Sequence, residues 1–170
     1  MADCTYHILR SFEELRRAFQ GTSDKKPWLL CPKLHYYRHP SWAANKADYT
    51  YLMCTVSTFS EEHDQTMQRV VGLIELERSP YKGQEHIVWL KYVTVDPQYQ
   101  GQGIATRLIQ MLARHMAKTG DTLQRSYSTE EGMRIQAKVD QALDEAGVPW
   151  TQSHRAEVGK ANRTRQAVAA

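Results

Sequence analysis

The residues whose spacing best supports a chemical function lie between Val93 and Thr106, in the segment VTVDPQYQGQGIAT. A strand pattern ends at Pro97, a turn with two glycines follows, and an apolar helix pattern starts after Gly103. Free amides of a helix's first turn point to one spot, where the helix dipole adds roughly half a positive charge. Gly101 and Gly103 lack a Cβ, so the backbone can take unusual dihedrals and approach a ligand closely. We therefore expect this turn to bind an anion such as a phosphate through its main chain.

Two familiar phosphate-binding patterns do not fit this turn. A P-loop requires Gly-Lys-Ser/Thr, and here Ile104 and Ala105 follow the last glycine. A dinucleotide-binding turn requires a third glycine, where this chain has Thr106, and an acid at the end of the next strand. Asp121 lies at about the right distance but precedes its predicted strand. A glycine turn that binds nothing remains the alternative.

The same segment resembles the acyl-CoA-binding motif of the GNAT (Gcn5-related N-acetyltransferase) superfamily. Residues 100–105 follow Gln-x-x-Gly-x-Ala, and residues 93–97 before them read Val-x-Val-x-Pro. The overlapping register at 98–103, Gln-x-x-Gly-x-Gly, fits the motif as well. The predicted order of strands and helices over residues 5–153 is also similar to that of the superfamily.

The resemblance implies a fold, a cofactor and a binding site. The fold is α+β with three layers, in which a mixed, mostly antiparallel central sheet carries helices on both faces. The cofactor is acetyl-CoA: amides of the turn would hold its pyrophosphate, and main-chain groups of Val93 and Val95 would pair with its pantetheine arm. The implied coenzyme-binding residues are Val93, Thr94, Val95, Gln100, Gly101, Gln102, Gly103, Ile104, Ala105 and Thr106.

The catalytic positions common in the superfamily hold other residues in this chain. A Glu often stands six residues before Val95, where this chain has Trp89, and a Tyr often stands where this chain has Leu143. Glu75, a carboxylate in an otherwise apolar strand, is the predicted general base, because partial burial would raise its pKa. Tyr127, at the end of the strand after the signature helix, is the predicted general acid for the leaving thiolate. A solvent-facing carboxylate and a packing aromatic are the alternatives for these two residues.

Hydrophobic periodicity and turn residues predict the elements that position this segment. Ser11 and Glu14 have the spacing of a capping box. Strict alternation places Lys91 on the same face of its strand as Trp89 and Val93. We expect three antiparallel strands followed by strand, helix, strand, helix and strand, with a single right-handed crossover. The predicted strands are 5–9, 49–59, 69–77, 87–95, 121–128 and 148–153, with a polar break at 60–68 and helices from Ser11 to Gly21, at 103–118 and at 128–146.

Composition restricts the class of protein. The chain has 170 residues, enough for one domain, and 41% hydrophobic with 24% charged residues is typical of a globular protein. A formal net charge of +3 is too small to indicate nucleic-acid binding. No apolar stretch is long enough to span a membrane and no signal peptide is recognised, so we expect a cytoplasmic protein. We assign residues 1–153 to a GNAT-like acyltransferase domain and 154–170 to a flexible basic tail.

Metal binding and covalent catalysis are not indicated. Cys4, Cys31 and Cys54 have no metal-ligand or redox spacing, so we expect reduced, structural thiols. His35 and His39 have a helical ligand spacing, but Pro40 follows and no third ligand is near. The aromatic residues around them, from Trp28 to Trp42, are expected to flank the acceptor pocket or to form a separate apolar cluster.

The predicted function is acetyl transfer from acetyl-CoA to a primary amine by direct attack, since no cysteine lies in the signature segment. The acceptor amine belongs to a small molecule, a protein or an aminoacyl-tRNA, and no membrane is involved. A homodimer is a hypothesis, because the chain lacks a further apolar strand to cover the last sheet edge. The alternatives are a catalytically inactive coenzyme A-binding or interaction protein on the same fold, and a nucleic-acid-binding domain that uses the tail.

Overall fold

A mixed β-sheet carries the fold in the computed structural model, which describes residues 3–31, 34, 48–126 and 130–153. Within these residues the chain forms seven strands and three helices. The strands are β1 (Cys4–Leu9), β2 (Leu29–Leu30), β3 (Tyr49–Ser60), β4 (Gln65–Arg78), β5 (Ile87–Val95), β6 (Thr122–Ser126) and β7 (Trp150–Ser153). The helices are α1 (Phe12–Gln20), α2 (Ile104–Thr119) and α3 (Glu130–Glu145).

The strand order is β1-β3-β4-β5-β6-β7, with the short β2 also paired to β4. Along this order the pairings from β1 through β5 are antiparallel, whereas the pairings β2–β4, β5–β6 and β6–β7 are parallel. The expected α+β fold with a mixed sheet is therefore confirmed. The prediction of a single crossover is wrong, because α2 and α3 each connect two parallel strands. A helix returns the chain to the end of the sheet where it started, so the next strand runs parallel to the previous one.

The sheet has apolar layers on both faces. On the face that we call the helix face, Leu52 and Cys54 of β3 pack with residues of α2 and α3. On the opposite face, called the far face, Tyr51 and Met53 pack with Leu15 of α1. Helices therefore lie on both faces, as expected, because side chains of a strand alternate between the two sides.

A β-bulge interrupts this alternation in β5. The register with β4 passes from the pair Leu76–Leu90 to the pair Glu75–Tyr92, so Lys91 is an extra residue with no partner of its own in β4. A bulge bends its strand and increases the local twist. In this sheet the bulge comes directly after Leu90, the last residue of β5 that pairs with β6.

The bulge overturns one prediction. Strict alternation placed Lys91 on one face with Trp89 and Val93. Lys91 Nζ instead lies 2.7 Å from a carboxylate oxygen of Glu77 on the far face, whereas Val93 packs against the core of the helix face. The prediction is wrong for Val93, because the extra residue moves each following side chain to the face opposite the one that strict alternation predicts.

Two local expectations also require correction. Ser11 Oγ accepts a hydrogen bond from the Glu14 amide at 3.1 Å, but Glu14 Oε2 accepts from the Arg10 amide at 2.6 Å, so the predicted capping box is half formed. The polar break expected at 60–68 is shorter, since β4 already begins at Gln65. The first residues of β4 are polar, and polar residues can form a strand where their side chains face water. Hydrophobic patterning therefore does not predict where this strand begins.

Several predictions lie outside the described residues, namely Tyr127, the Ser128 cap of the last helix, His35 and His39, most of the aromatic segment and the basic tail 154–170. The remaining elements follow the predicted ones, and β5 has the bounds predicted for it. Within the described part of the chain no helix is long and apolar enough to cross a membrane.

Candidate active site

The glycine turn has the backbone conformation that its sequence requires. Gly101 and Gly103 have φ angles of +76° and +80°, a region that residues with a Cβ rarely adopt. A Cβ built on either glycine would meet no atom of the described part of the chain within 4 Å, so these residues leave the space above the turn open. Asp96, fully buried, fixes the entry to the turn, because its Oδ1 accepts from the Gln98 amide at 2.9 Å and its Oδ2 accepts from Cys31 Sγ at 2.9 Å.

Six consecutive amides in this turn have no acceptor among the described residues. They run from Gly101 to Thr106, and the first amide after them, that of Arg107, donates to the Gly103 carbonyl at 3.0 Å. Among the residues that the structure describes, no side chain caps the N-terminus of α2. Unpaired amides and the positive end of the helix dipole therefore face the same open space, an arrangement that binds anions.

The strand that leads into the turn offers main-chain groups on its open side. The Asp96 amide donates to the Val71 carbonyl at 2.8 Å, and hydrogen-bonded pairs alternate along antiparallel strands. The amides and carbonyls of Val93 and Val95 therefore point away from β4, towards the gap where β6 has left the sheet. The Val95 carbonyl there accepts from Gln100 Nε2 at 3.1 Å. An extended ligand with amide groups can pair with such an edge.

A buried ion pair holds β6 away from β5 beyond this point. Arg125, only 7% exposed, is opposite Leu90 in the last pair between the two strands. Its Nε and Nη2 donate to the two carboxylate oxygens of Asp140 in α3, at 2.8 and 2.6 Å. Its guanidinium also lies over the Trp150 ring of β7, at 4.9 Å from the ring centroid. β6 is thus fixed to α3 and β7, and the gap beside β5 stays open.

The open edge and the turn line one cleft. A cavity of about 420 Å³ extends from Val93 along the turn to the start of α2, and a smaller one of about 140 Å³ continues between β5, Arg125 and α3. Val93 and Ile135 line both, so the two cavities adjoin each other. Lys138, one helical turn after Ile135, provides the only cation that lines the larger cavity within the described residues.

Gly72 allows α2 to lie close to the sheet. A Cβ at Gly72 would lie 3.0 Å from Ile104 Cγ2 and 3.2 Å from Leu108 Cδ1, both in α2. It would also lie 3.4 Å from Val95 Cγ2. The N-terminus of α2, and with it the unpaired amides, therefore depends on a residue without a side chain in the neighbouring strand.

Glu75 is the buried carboxyl nearest to the bulge. It is 5% exposed and lies opposite Tyr92 on the far face. Burial raises the pKa of Glu75 to about 7; the nearby cation of Lys91 lowers this pKa and Glu77 raises it. Lys91 forms its ion pair with Glu77 and not with Glu75. Glu75 therefore titrates near neutral pH, as a general base should.

The structure brings most of the predicted coenzyme-binding residues together. Nine of the ten line the larger cavity, and Gln102 is the exception. Leu143 is fully buried in the apolar core, where it offers no chemistry. Sequence reasoning missed Gly72 and Lys138. Lys138 had a signal, because it lies three residues after the predicted inward residue Ile135 and so on the same side of the helix.

No group of three metal-ligating side chains occurs in the described ranges of the chain. The comparison with protein families gives one result: the model of the acetyltransferase (GNAT) family matches residues 11–131. No curated protein matches this sequence significantly.

The solved structures to which this chain is similar are distant in sequence. An aminoglycoside N-acetyltransferase AAC(6')-Iy in complex with CoA has 17% identity and a TM-score of 0.44, over 84% of this chain and 88% of that one. A GNAT-family protein from Desulfovibrio desulfuricans has 14% identity and a TM-score of 0.43, over 81% and 84%. The ribosomal-protein-S18-alanine N-acetyltransferase from Escherichia coli has 14% identity and a TM-score of 0.39, over 79% and 76%.

Proposed function

Because the chain belongs to the GNAT family of acetyltransferases, we propose that it is an N-acyltransferase that uses acetyl-CoA as donor and a primary amine as acceptor. The observation that carries this proposal is the row of six amides from Gly101 to Thr106 that have no acceptor among the described residues, since five of these six residues line the open cleft. The residues fit the coenzyme, because a diphosphate needs many donors in one place and these amides supply them.

Acetyl-CoA supplies an activated acetyl group: the amine nitrogen forms a bond to the carbonyl carbon, the C–S bond breaks, and the proton lost from nitrogen goes to sulfur. The turn binds the pyrophosphate, assisted by Lys138, and the outward-facing amides of Val93 and Val95 and the Val93 carbonyl bind the pantetheine amides. Tyr127 is the proposed donor of the proton to the leaving thiolate.

Glu75 is the proposed general base. The cleft opens on the helix face, whereas Glu75 lies on the far face beside the bulge. The proposed path of the amine runs along the far face, past Glu75, to the gap between β5 and β6. The ammonium must lose a proton before it can attack, and a carboxyl whose pKa is about 7 accepts that proton at neutral pH.

A coenzyme A-binding protein without transferase activity is the second candidate. It is supported by Leu143, which is buried in the core, and by Trp89, which stands where a catalytic Glu is common. The proposed acceptor is an amine of a small molecule, of a protein or of an aminoacyl-tRNA. A homodimer is likewise a proposal.

The experiment that tests coenzyme binding compares two glycine variants by calorimetric titration with coenzyme A. Gly103→Ala places a Cβ on the turn at φ +80°, and Gly83→Ala places one at φ +82° in an exposed turn away from the cleft. Both variants carry a similar backbone strain, about 1–2 kcal/mol. Only Gly103→Ala should weaken coenzyme A binding, by about tenfold or more, equivalent to 1.4 kcal/mol.

Transfer is tested separately, by thiol release from acetyl-CoA with a panel of primary amines. We expect turnover with at least one amine class. Binding of coenzyme A without turnover on any amine supports the second candidate. Equal affinities for the wild type and Gly103→Ala contradict both candidates, because both depend on the turn.

A further inference from the structure

A second large cavity, which we call the edge cavity, lies beside the outermost strand β1. It has a volume of about 470 Å³ and is lined by β1, by α1 and by the segment 22–28 that leads from α1 to β2. It lies on the far face, because Leu9 and Trp28, which line it, pack against the core of that face. Ligand sites in proteins have volumes of roughly 300–1,000 Å³. No described residue lines both the edge cavity and the coenzyme cleft, so the two are separate sites.

Hydrogen bonds hold the segment 22–28 against the end of α1. Gly21 has a φ angle of +71°, and a Cβ on it would lie 2.8 Å from the Lys25 carbonyl oxygen. The Thr22 amide donates to that same carbonyl at 2.8 Å, and the Trp28 amide donates to the Ala18 carbonyl at 2.8 Å. The chain therefore turns back tightly at Gly21, and this turn sets where Lys25 and Trp28 stand around the edge cavity.

One wall of the edge cavity is aromatic and uncharged. The rings of His7 and Trp28 are in contact, with centroids 4.4 Å apart and planes at 51°. His7 Nε2 shares a hydrogen bond with Thr55 Oγ1 at 2.9 Å, and burial lowers the pKa of His7, so this ring is neutral at pH 7. Leu9 and Ala18 add apolar surface. A wall of this kind binds the face or the edge of a planar ring.

Cations outnumber carboxylates at the rim of the edge cavity. Arg17, Lys25 and Lys26 line it, against the single carboxylate of Glu14, which gives these four side chains a formal net charge of +2. Glu14 Oε2 is already engaged, because it accepts a hydrogen bond from a backbone amide at 2.6 Å. The rim therefore favours an anion over a cation or a neutral molecule.

The two lysines have no anionic partner within the part of the chain that the structure describes. Lys25 forms no ion pair there, and Lys26 Nζ donates to the Thr66 carbonyl at a long 3.5 Å. The guanidinium of Arg17, whose planar fork suits a carboxylate, is held by Glu13 at 3.1 Å. An ammonium group is a point charge with three donors, so two neighbouring lysines suit the several oxygens of a phosphate.

We propose that the edge cavity binds a planar ring that carries a phosphate group: the ring lies against Trp28 and His7, and Lys25 and Lys26 bind the phosphate. Nucleoside monophosphates and aryl phosphates both have these two parts. The binding is non-covalent, and it does not depend on acetyl transfer, because no residue of the coenzyme cleft takes part in it.

Calorimetric titration of the full chain with phenyl phosphate tests this inference. The double variant Lys25→Gln, Lys26→Gln should bind phenyl phosphate at least about tenfold more weakly than the wild type, because both cations of the phosphate site are lost. Lys82→Gln is the matched control and should bind as the wild type does, since Lys82 is an exposed lysine outside the cavity. Coenzyme A affinity should be the same in all three proteins, which shows that the variants are folded.

The aromatic wall is tested with the ligand as well as with the protein. Inorganic phosphate should bind the wild type more weakly than phenyl phosphate, because it has no ring to contact Trp28 and His7. Trp28→Leu should weaken binding of phenyl phosphate and leave binding of inorganic phosphate unchanged. Equal affinities of the wild type for the two compounds would contradict the proposed role of the wall.

The remaining outcomes separate this site from the coenzyme site. If phenyl phosphate binds the double variant as tightly as the wild type, or does not bind the wild type at millimolar concentration, the inference is wrong and the proposed function stands. Weaker binding in Gly103→Ala, with no change in the double variant, would place the phosphate in the coenzyme cleft and also overturn the inference. Adenosine 5′-monophosphate is titrated in the same way: tighter binding than phenyl phosphate, lost in the double variant, assigns the cavity to nucleotides, and weaker binding assigns it to aryl phosphates.

Discussion

At the residue scale, the burial of one carboxyl links activity to stability. Glu75 lies among apolar side chains and tyrosines, and its ordinary counter-ion, Lys91, is held by Glu77. The same desolvation that suits Glu75 to its proposed role as a base at neutral pH also opposes its ionisation in the folded state. Function and folding therefore make opposite demands on this side chain.

Replacement of Glu75 by Gln should separate these two demands. Gln is close in shape but accepts no proton, so kcat should fall by about 100-fold or more, while coenzyme A affinity stays unchanged. In the wild type, kcat/KM for the amine should rise with pH and level off above about 7, and Glu75→Gln should lose this limb. Steady-state kinetics across pH 5–9 measure both effects. Glu77→Gln is the matched control and should retain the limb; a limb that persists in Glu75→Gln refutes the assignment of the base.

Stability should respond in the opposite direction. The folded-state pKa of Glu75 is raised from 4.5 to about 7, so between these values the folded state binds more protons than the unfolded state. Stability from this group is complete below pH 4.5 and is lost as pH rises to 7, by up to about 3 kcal/mol. Glu75→Gln should therefore be more stable than the wild type at pH 8, as measured by urea unfolding.

At the scale of elements, contact between α2 and the sheet sets the position of the anion site. Gly72→Ala should push the N-terminus of α2 outward, because the new Cβ lies 3.0 Å from Ile104 Cγ2. Overpacking of this kind costs about 1–3 kcal/mol. We expect a lower unfolding midpoint together with weaker coenzyme A binding in calorimetry. If the variant is less stable but binds coenzyme A with wild-type affinity, coenzyme binding does not depend on the position of α2, and the prediction is wrong.

The sequence predicts elements better than it predicts the site's geometry. β5 is predictable because it is a run of β-branched and aromatic residues bounded by turn residues. The turn is predictable because its two glycines indicate a backbone conformation that only glycine adopts readily. The bulge at Lys91 has no such marker, because the extra residue is an ordinary lysine. The position of Glu75 opposite Tyr51 likewise depends on how β3 and β4 are aligned. Register is a property of two strands, and neither strand encodes it alone.

At the scale of the whole molecule, we expect the positive charge of the tail to affect solubility and binding partners more than coenzyme binding. Residues 154–170 contain four Lys and Arg against one Glu, so residues 1–153 alone have a formal net charge of zero. We propose that residues 1–153 form the catalytic domain. A 1–153 variant should therefore bind coenzyme A with unchanged affinity, but be less soluble near neutral pH.

Calorimetry and solubility in low salt measure this pair of effects. Salt-sensitive binding to nucleic acid that disappears in the 1–153 variant, with coenzyme binding intact, would assign the tail to a separate interaction. Loss of coenzyme affinity on deletion would contradict the proposed domain boundary.

A site made of peptide N–H groups has an evolutionary consequence. Every amino acid except proline provides the same donor, so mutations that erase an ordinary binding pocket leave the donors from Gly101 to Thr106 in place. In an alanine scan of this turn, substitution of the two glycines would weaken binding because it changes the backbone conformation. The other substitutions would have little effect, because alanine keeps the N–H groups that make the contacts. Descendants of this gene can exchange almost every side chain along the turn and still bind a diphosphate, provided that the chain keeps its path.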